Sequence, residues 1–260
     1  MLFNSVQFVV FFFIVTPLFF LLPHRFRWIH LLISSCIFYS AFVPIYLLIL
    51  VFTILIDYIA GLFIENAQGL RRKIFLVASL VSNLGVLAFF KYYNFFIDNF
   101  NVVFQALNWN YSLDLLTIIL PIGLSFHTFQ AMSYTIEVYR GNQKAEKHFG
   151  VYSLYVMYYP QLVAGPIERP QNLLNQFHAK HKLDPYLFSN GLKQMLIGFF
   201  KKMVIADNLC LYVDRFYKDP ALFNSLTAWK IMILYSFQIY SDFHGYSTVA
   251  IGSALMMGVH

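Results

Sequence analysis

Long apolar runs separated by short polar breaks dominate the chain from its first residues. A membrane-crossing helix needs about 20 consecutive apolar residues. Residues 2–22 meet that length, with Pro17 inside the run and Pro23-His24-Arg25-Phe26-Arg27 closing it. Apolar sequence continues over 28–64, too long for one crossing, and Pro44 divides it into two short or tilted helices. A polar loop at 65–73 ends in Arg71-Arg72-Lys73, and 74–96 forms the next span. Residues 98–114 read as a loop with an interfacial aromatic segment around Trp109, 115–134 as a span, and 137–148 as a charged link. The second half is less regular. Residues 151–164 are apolar but short and are broken by Gly165-Pro166-Ile167-Glu168-Arg169-Pro170, a pattern that predicts a re-entrant segment enclosed by protein or a water-filled cavity. Residues 171–193 read as a polar connection, 195–213 as an apolar run carrying Lys201, Lys202 and Asp207, and 228–259 as a last run interrupted at 241–247.

This pattern predicts an all-α, polytopic membrane protein, a bundle of roughly seven to nine transmembrane or re-entrant helices. It occupies the whole of 1–260 with no soluble domain, internal repeat or low-complexity tract. Composition agrees: 59% of residues are hydrophobic, 20% aromatic and only 12% charged, too few charges to cover a soluble domain of this length. The net charge of +6 is spread in short clusters between apolar runs, which excludes a nucleic-acid footprint and makes the clusters topology signals. With a turn at Pro44, the basic positions Arg25/Arg27, Arg71-Arg72-Lys73 and Arg140/Lys144/Lys147 fall on one side. That asymmetry predicts an outside N-terminus. The N-terminus has no basic region and no small-x-small cleavage site, so it reads as a retained span rather than a signal peptide. Cys36 and Cys210 lie in apolar stretches without metal-ligand spacing, so neither a disulfide framework nor a zinc site is expected.

Polar groups at membrane depth are costly and therefore informative. Asp57 sits in an apolar helix and reads as a hydrogen-bond partner between helices. Gly123, His127, Gln130 and Tyr134 share one helical face, and so do Tyr235, Gln238, Asp242 and Tyr246 if the helix survives Gly245. Both faces are expected to turn away from lipid, either as the wall of a tunnel or as polar packing between helices. Lys201 and Lys202 stand six and five residues before Asp207, spacings poor for pairing on one α-helix, so partners on other segments are expected. His178 and His181 lack a carboxylate or cysteine at ligand spacing, and no metal site is assigned. Phosphate-binding glycine loops, nucleophile elbows and dinucleotide fingerprints are absent from the sequence.

Six stretches, in order, resemble the membrane-bound O-acyltransferases, in particular the branch of the alginate O-acetyltransferase membrane subunit. They are FKYYNFF (90–96), LPIGLSFHTFQAMSY (120–134), EVYRG (137–141), YPQLVAGPIERP (159–170), GFFKKMVIADNL (198–209) and FQIYSDFHGYSTVAIGSALMMG (237–258). The last departs from the family's DFSGYSDMAIG-like form, with His244 in place of a Ser and Thr248 in place of an Asp. The resemblance implies the N-terminal half of such an enzyme. The family's Trp-His motifs, one of which carries the catalytic His, are not found: Trp28, Trp109 and Trp229 are not followed by His, and His260 lacks the motif context.

The resemblance further implies transfer of an acetyl or other acyl group from a cytoplasmic donor, such as acetyl-CoA or an acyl carrier, to a hydroxyl of an exported polysaccharide or cell-envelope glycan. No bound cofactor or metal is implied, and no residue of this chain takes the catalytic role. The expected surroundings are a lipid bilayer, the bacterial inner membrane, with periplasmic or extracellular partner proteins and no nucleic acid. Gln130, Gln161, Glu168, Asp207, Gln238 and Asp242 are the candidate tunnel-wall or substrate-binding residues. Two alternatives remain: a non-catalytic export or scaffold component, and a changed cargo, D-alanyl groups on teichoic acid or acetyl groups on peptidoglycan.

Overall fold

Ser5 caps the first helix by accepting from the Phe8 amide, and Pro23 begins a new one two residues after the first ends, so the chain opens as a tight helical hairpin. The computed structural model describes residues 1–42, 44–107, 109, 113–115, 123–163 and 165–260. Among these lie ten α-helices and no strand: α1 (Val6–Leu21), α2 (His24–Ser40), α3 (Tyr46–Asn66), α4 (Gly69–Ala106), α5 (Leu124–Arg140), α6 (Phe149–Met157), α7 (Pro170–His178), α8 (Pro185–Phe199), α9 (Asp207–Lys218) and α10 (Ser225–Met256). A π-helical segment, Phe200–Ala206, joins α8 to α9 without a break. With α8 and α9 joined as one rod, the described residues form nine α-helical elements, which match the predicted all-α bundle, and the break around Pro44 separates α2 from α3 as expected.

α3 and α4 are each long and apolar enough to cross a membrane. Large apolar side chains such as Phe13, Leu48, Phe52, Val81 and Phe95 remain exposed on the outer faces of the bundle, as lipid contact requires. At 1.5 Å per residue, the 38 residues of α4 extend about 57 Å, against a hydrocarbon thickness of about 30 Å. The loop expected at 98–114 is therefore corrected: α4 continues to Ala106. Polarity after Asp98 marks where the helix leaves hydrocarbon, and helical hydrogen bonding does not end there; Asn99 Nδ2 still donates back to Phe95 O at 2.6 Å. Residues 116–122 of the span expected at 115–134 lie outside the described residues.

The polar connection expected at 171–193 is also largely helical, as α7 and the first half of α8. Pro170 and Pro185 sit at the first positions of these helices, and the Asp184 carboxylate caps α8 by accepting from the Tyr186 and Leu187 amides. α10 runs uninterrupted through 241–247.

The basic segments meet at one end of the bundle. The Arg27 guanidinium donates to His181 O, Tyr58 OH to Lys147 O, and Arg72 to Val138 O with its guanidinium 5.3 Å over the Tyr139 ring. His178 pairs with Glu146 at 2.8 Å, a carboxylate the sequence spacing had not supplied. Gln176 and His260 exchange main-chain and side-chain hydrogen bonds at the foot of α10. At the opposite end the Met1 amine donates to Phe38 O at 2.7 Å.

The antiparallel hairpin of α8 and α10 is built on glycine. Gly191 and Gly198 on α8 face Gly252 and Gly245 on α10, each pair seven residues apart. A Cβ on Gly191 would sit 2.6 Å from Gly252 O, and one on Gly198 2.8 Å from Gly245 O. Small residues at every second turn let the backbones approach, the usual packing of helices in lipid.

Candidate functional site

Residues 149–178 enter the bundle and leave it at the same end. His148 is held against Trp28, with ring centroids 4.6 Å apart, and Gln171 at the start of α7 donates to the Glu137 carboxylate. Between them α6 climbs inward, the chain turns, and 165–169 descends to α7. The turn is enclosed: Tyr158, Tyr159, Gln161, Leu162 and Val163 are buried, and the Tyr159 amide donates to Ser35 Oγ on α2 at 3.0 Å. Non-helical backbone at depth is tolerated in such an enclosure, because its polar groups find protein partners. Gly123, at φ +79°, seats the start of α5 on this turn: a Cβ there would lie 2.6 Å from Leu162 O, and the left-handed backbone suits only glycine.

Three of the six candidate wall residues come together here. Tyr155 on α6 is their hub. Its hydroxyl donates to Glu168 O at 3.2 Å and reaches Gln130 O at 3.5 Å, while Gln161 Nε2 donates to Tyr155 O at 2.6 Å. Tyr155 itself was not singled out from the sequence; one tyrosine in an aromatic-rich apolar run carries no distinguishing signal. A cavity of about 50 Å³ is lined by Tyr158, Gln161, Glu168, Ala250, Ala254 and His260. A smaller one of about 10 Å³ is lined in part by His127, Gln130, Gln161 and Pro166, so Gln161 and Pro166 form the wall between the two. The first polar stripe thus turns inward: His127, Gln130 and Tyr134 are all buried. Amide donors can stabilise an oxyanion, and a carboxylate can orient a hydroxyl.

The other three candidates gather in a separate group on the α8–α10 hairpin. Lys202 Nζ lies 2.8 Å from Asp207 Oδ1 and 2.7 Å from Asp242 Oδ1. The expectation that Lys202 and Asp207 would not pair within one helix is corrected. They lie across the π-helical segment, whose hydrogen bonds run between residues five apart, so the wider turn brings positions five apart to the same side. The cross-helix partner also exists, in Asp242. Gln238, one turn from Asp242, has its Oε1 buried without a partner. Beside this group, Lys201 Nζ and Thr248 Oγ1 lie 3.2 and 2.9 Å from His244 Nδ1, so the two residues that depart from the family pattern touch each other. The second stripe is more open than the first: Tyr235 is 40% exposed and the Asp242 side chain 49%.

Asp57 is the interhelical partner expected of it. Fully buried, it accepts from Ser79 Oγ at 2.6 Å and from Asn83 Nδ2 at 2.8 and 2.9 Å, tying α3 to α4, and Ser79 continues the network to Thr135 on α5. At the basic end beyond the apolar runs, the Asn142 amide, joined by Gln171 and Arg140, holds the Glu137 carboxyl below its ordinary range. That cluster locks EVYRG to α7 and belongs to the scaffold. Among the described residues no group of three His, Cys, Asp or Glu side chains could hold a metal.

A buried re-entrant turn carrying amide and carboxylate groups inside an all-helical bundle defines a membrane-embedded class of protein. Residues 148–260 match the model of MBOAT, the membrane-bound O-acyltransferase family. The chain belongs to this family. It is 38% identical over 259 residues to a protein of Pseudomonas aeruginosa described as "Probable alginate O-acetylase AlgI", covering 96% of this chain and 48% of that one. It is 33% identical to the peptidoglycan O-acetyltransferase of Helicobacter pylori, covering 88% of this chain and 48% of that one. The teichoic acid D-alanyltransferase of Streptococcus thermophilus is 28% identical over 53% of this chain and 34% of its own length. The chain spans about half the length of the curated relatives it matches.

Proposed function

We propose that residues 1–260 form the N-terminal half of a membrane O-acyltransferase that moves an acetyl group from a cytoplasmic donor to a hydroxyl of an exported polysaccharide or cell-envelope glycan. The observation that carries this reading is the enclosed re-entrant turn, which gathers Gln130, Gln161 and Glu168 around Tyr155 inside a chain of this family. O-acetyl transfer is favoured over D-alanyl transfer because the acetylating relatives are more similar and cover nearly the whole chain.

A hydroxyl is a weak nucleophile at neutral pH until a base takes its proton, and the tetrahedral oxyanion that follows needs aligned donors. In this reading Gln130 and Gln161 supply amide donors and Glu168 a carboxylate along the wall. Asp207, Gln238 and Asp242 line the wall on the α8–α10 side. No residue of 1–260 is assigned as the base. The donor is acetyl-CoA or an acyl carrier. The protein sits in a bacterial inner membrane with its N-terminus outside and its basic end in the cytoplasm, and it works with periplasmic or extracellular proteins. The gathering of the basic segments at one end supports this orientation.

The test is reconstitution in vesicles, with acetyl-CoA supplied at the basic end and a soluble glycan acceptor opposite. Residues 1–260 are assayed alone and with the C-terminal half of the Pseudomonas aeruginosa relative. Turnover only with the added half is expected, since general-base help is worth about 10²–10⁴ in rate. Robust turnover by 1–260 alone overturns the half-enzyme reading. If neither preparation turns over while both bind vesicles and fold, acyl transfer gives way to an export or scaffold role.

A further inference from the structure

The small cavity beside the re-entrant turn has an unusual lining. Thr53 Oγ1 on α3 donates to Leu50 O at 2.9 Å, which commits its only hydrogen. With the Thr53 hydrogen directed to the main chain, the hydrogen of the 3.2 Å contact between Thr53 Oγ1 and His127 Nε2 is assigned to the imidazole. Buried without a carboxylate partner, the ring is taken as neutral, which leaves Nδ1 as an acceptor. That Nδ1 is buried and meets no donor. One turn further along α5, Gln130 Nε2 is a buried donor with no acceptor in hydrogen-bonding geometry, the nearby Tyr155 hydroxyl being turned to main-chain carbonyls. The two residues are only 3% and 4% exposed, and both line the same cavity.

An orphaned acceptor and an orphaned donor on one wall specify their occupant. A carbonyl could satisfy Gln130 but would leave Nδ1 bare. An ammonium could satisfy Nδ1 but would leave the amide bare. A neutral group bearing both a hydrogen and a lone pair on one atom does both, and an O–H is the smallest such group. The space, about 10 Å³, admits about one water-sized oxygen.

We propose that His127 and Gln130 together bind one O–H group, which donates its hydrogen to His127 Nδ1 and accepts one from Gln130 Nε2. Thr53 is the positioning residue that fixes the imidazole tautomer. The occupant is either a structural water or the hydroxyl of the acyl acceptor reaching past Gln161; the second source rests on the acyl-transfer reading above.

A double-mutant cycle tests this in the protein complemented with its second half and held in lipid nanodiscs. His127→Phe, Gln130→Leu and the double variant are compared in thermal unfolding without acceptor and in turnover against acceptor concentration. If one oxygen bridges the two side chains, each single substitution forfeits the whole bridge. With water as the occupant, each single variant lowers Tm by about 2–4 °C and the double variant falls no further than the larger single. With the acceptor hydroxyl as the occupant, Tm effects are additive, but the rise in acceptor KM is shared and not multiplied in the double variant. Effects that add in Tm and multiply in KM overturn the proposal. If the enzyme shows no turnover, the acyl-transfer reading falls separately, and additive Tm effects alone then overturn the site. His127→Met and Gln130→Met run through the same cycle provide the answer where the harsher pair does not fold.

Discussion

Replacing Gly252 with Ala adds one methyl group where two helix backbones meet. Its Cβ would stand 2.6 Å from Gly191 O, against 3.4 Å for ordinary contact, so the carbonyl must retreat by about 0.8 Å. Met195 N, 2.8 Å from the same point, blocks the alternative of sliding along α8. A backbone carbonyl cannot rotate aside as a side chain would; α8 and α10 must separate, and a gap of this size forfeits a quarter to a half of the dispersion energy of the contacts it opens. Overpacking of this kind costs about 1–3 kcal/mol. Alanine recovers roughly 0.5–1 kcal/mol of helix propensity, so the net loss is about 0–2.5 kcal/mol, centred on about 1 kcal/mol. Gly85 on α4 supplies the control, because a Cβ there meets nothing within 4 Å. Gly85→Ala should keep only the propensity gain. Thermal unfolding of both variants in the same detergent should therefore separate them by about 1–3 kcal/mol, Gly252→Ala below the parent and Gly85→Ala at or above it. Equal effects would refute the claim that the glycine seam sets the distance between the two helices.

Asp57→Ala should cost about 2–4 kcal/mol in the same assay, because it removes the carboxylate that accepts from Ser79 Oγ and Asn83 Nδ2 in a buried site, and Asp57→Asn should cost less; a change under about 0.5 kcal/mol would remove the clamp role. Lys202→Met should cost about 1 kcal/mol and Lys201→Met less, since Lys202 serves two half-exposed carboxylates and Lys201 only His244; the reverse order in thermal unfolding would discount the bridge. In a background without Cys36 and Cys210, a cysteine at Gln68 should resist an impermeant thiol reagent in intact cells and one at Asp219 should react, on the proposed placement of the basic end in the cytoplasm; labelling at Gln68 alone would invert the proposed orientation.

What could be read from the sequence, and what could not, divides along physical lines. Span positions, the break at Pro44, the role of Asp57 and the inward face of His127, Gln130 and Tyr134 all depend on one local rule, the cost of polar groups in hydrocarbon. The extent of α4 was missed because hydropathy registers the solvent and not the hydrogen bonding. The start of α8 was legible and overlooked, since Asp184-Pro185 is an N-cap followed by proline at N1. The Lys202–Asp207 pair was not legible, because α-helical spacing rules fail across a π-helical segment. The backbone of that segment lies close to another helix: a Cβ on Gly245 would stand 2.9 Å from the Lys202 amide. The union of Gln130, Gln161 and Glu168 was equally invisible, since the turn that joins them is defined by its anchors at Trp28, Ser35 and Glu137.

The two polar groups differ in how far this chain alone can satisfy them. Around Tyr155 the amides and carbonyls of α5, α6 and the re-entrant turn are enclosed by protein, and the residual needs of His127 and Gln130 amount to one small oxygen. On the α8–α10 hairpin, Lys202, Asp207 and Asp242 neutralise one another only in part and stand half-exposed among Tyr235, Phe243 and Ile239, which are themselves exposed. Three charged groups and an imidazole cannot face hydrocarbon at this density without a cost of several kcal/mol. A surface of that composition is stable in a bilayer only against protein or water. The relatives, with about as much chain again beyond the matched region, have the means to cover it. On the reading proposed above, the hairpin is the side on which the tunnel would be completed, and the re-entrant turn the part of its wall that residues 1–260 supply.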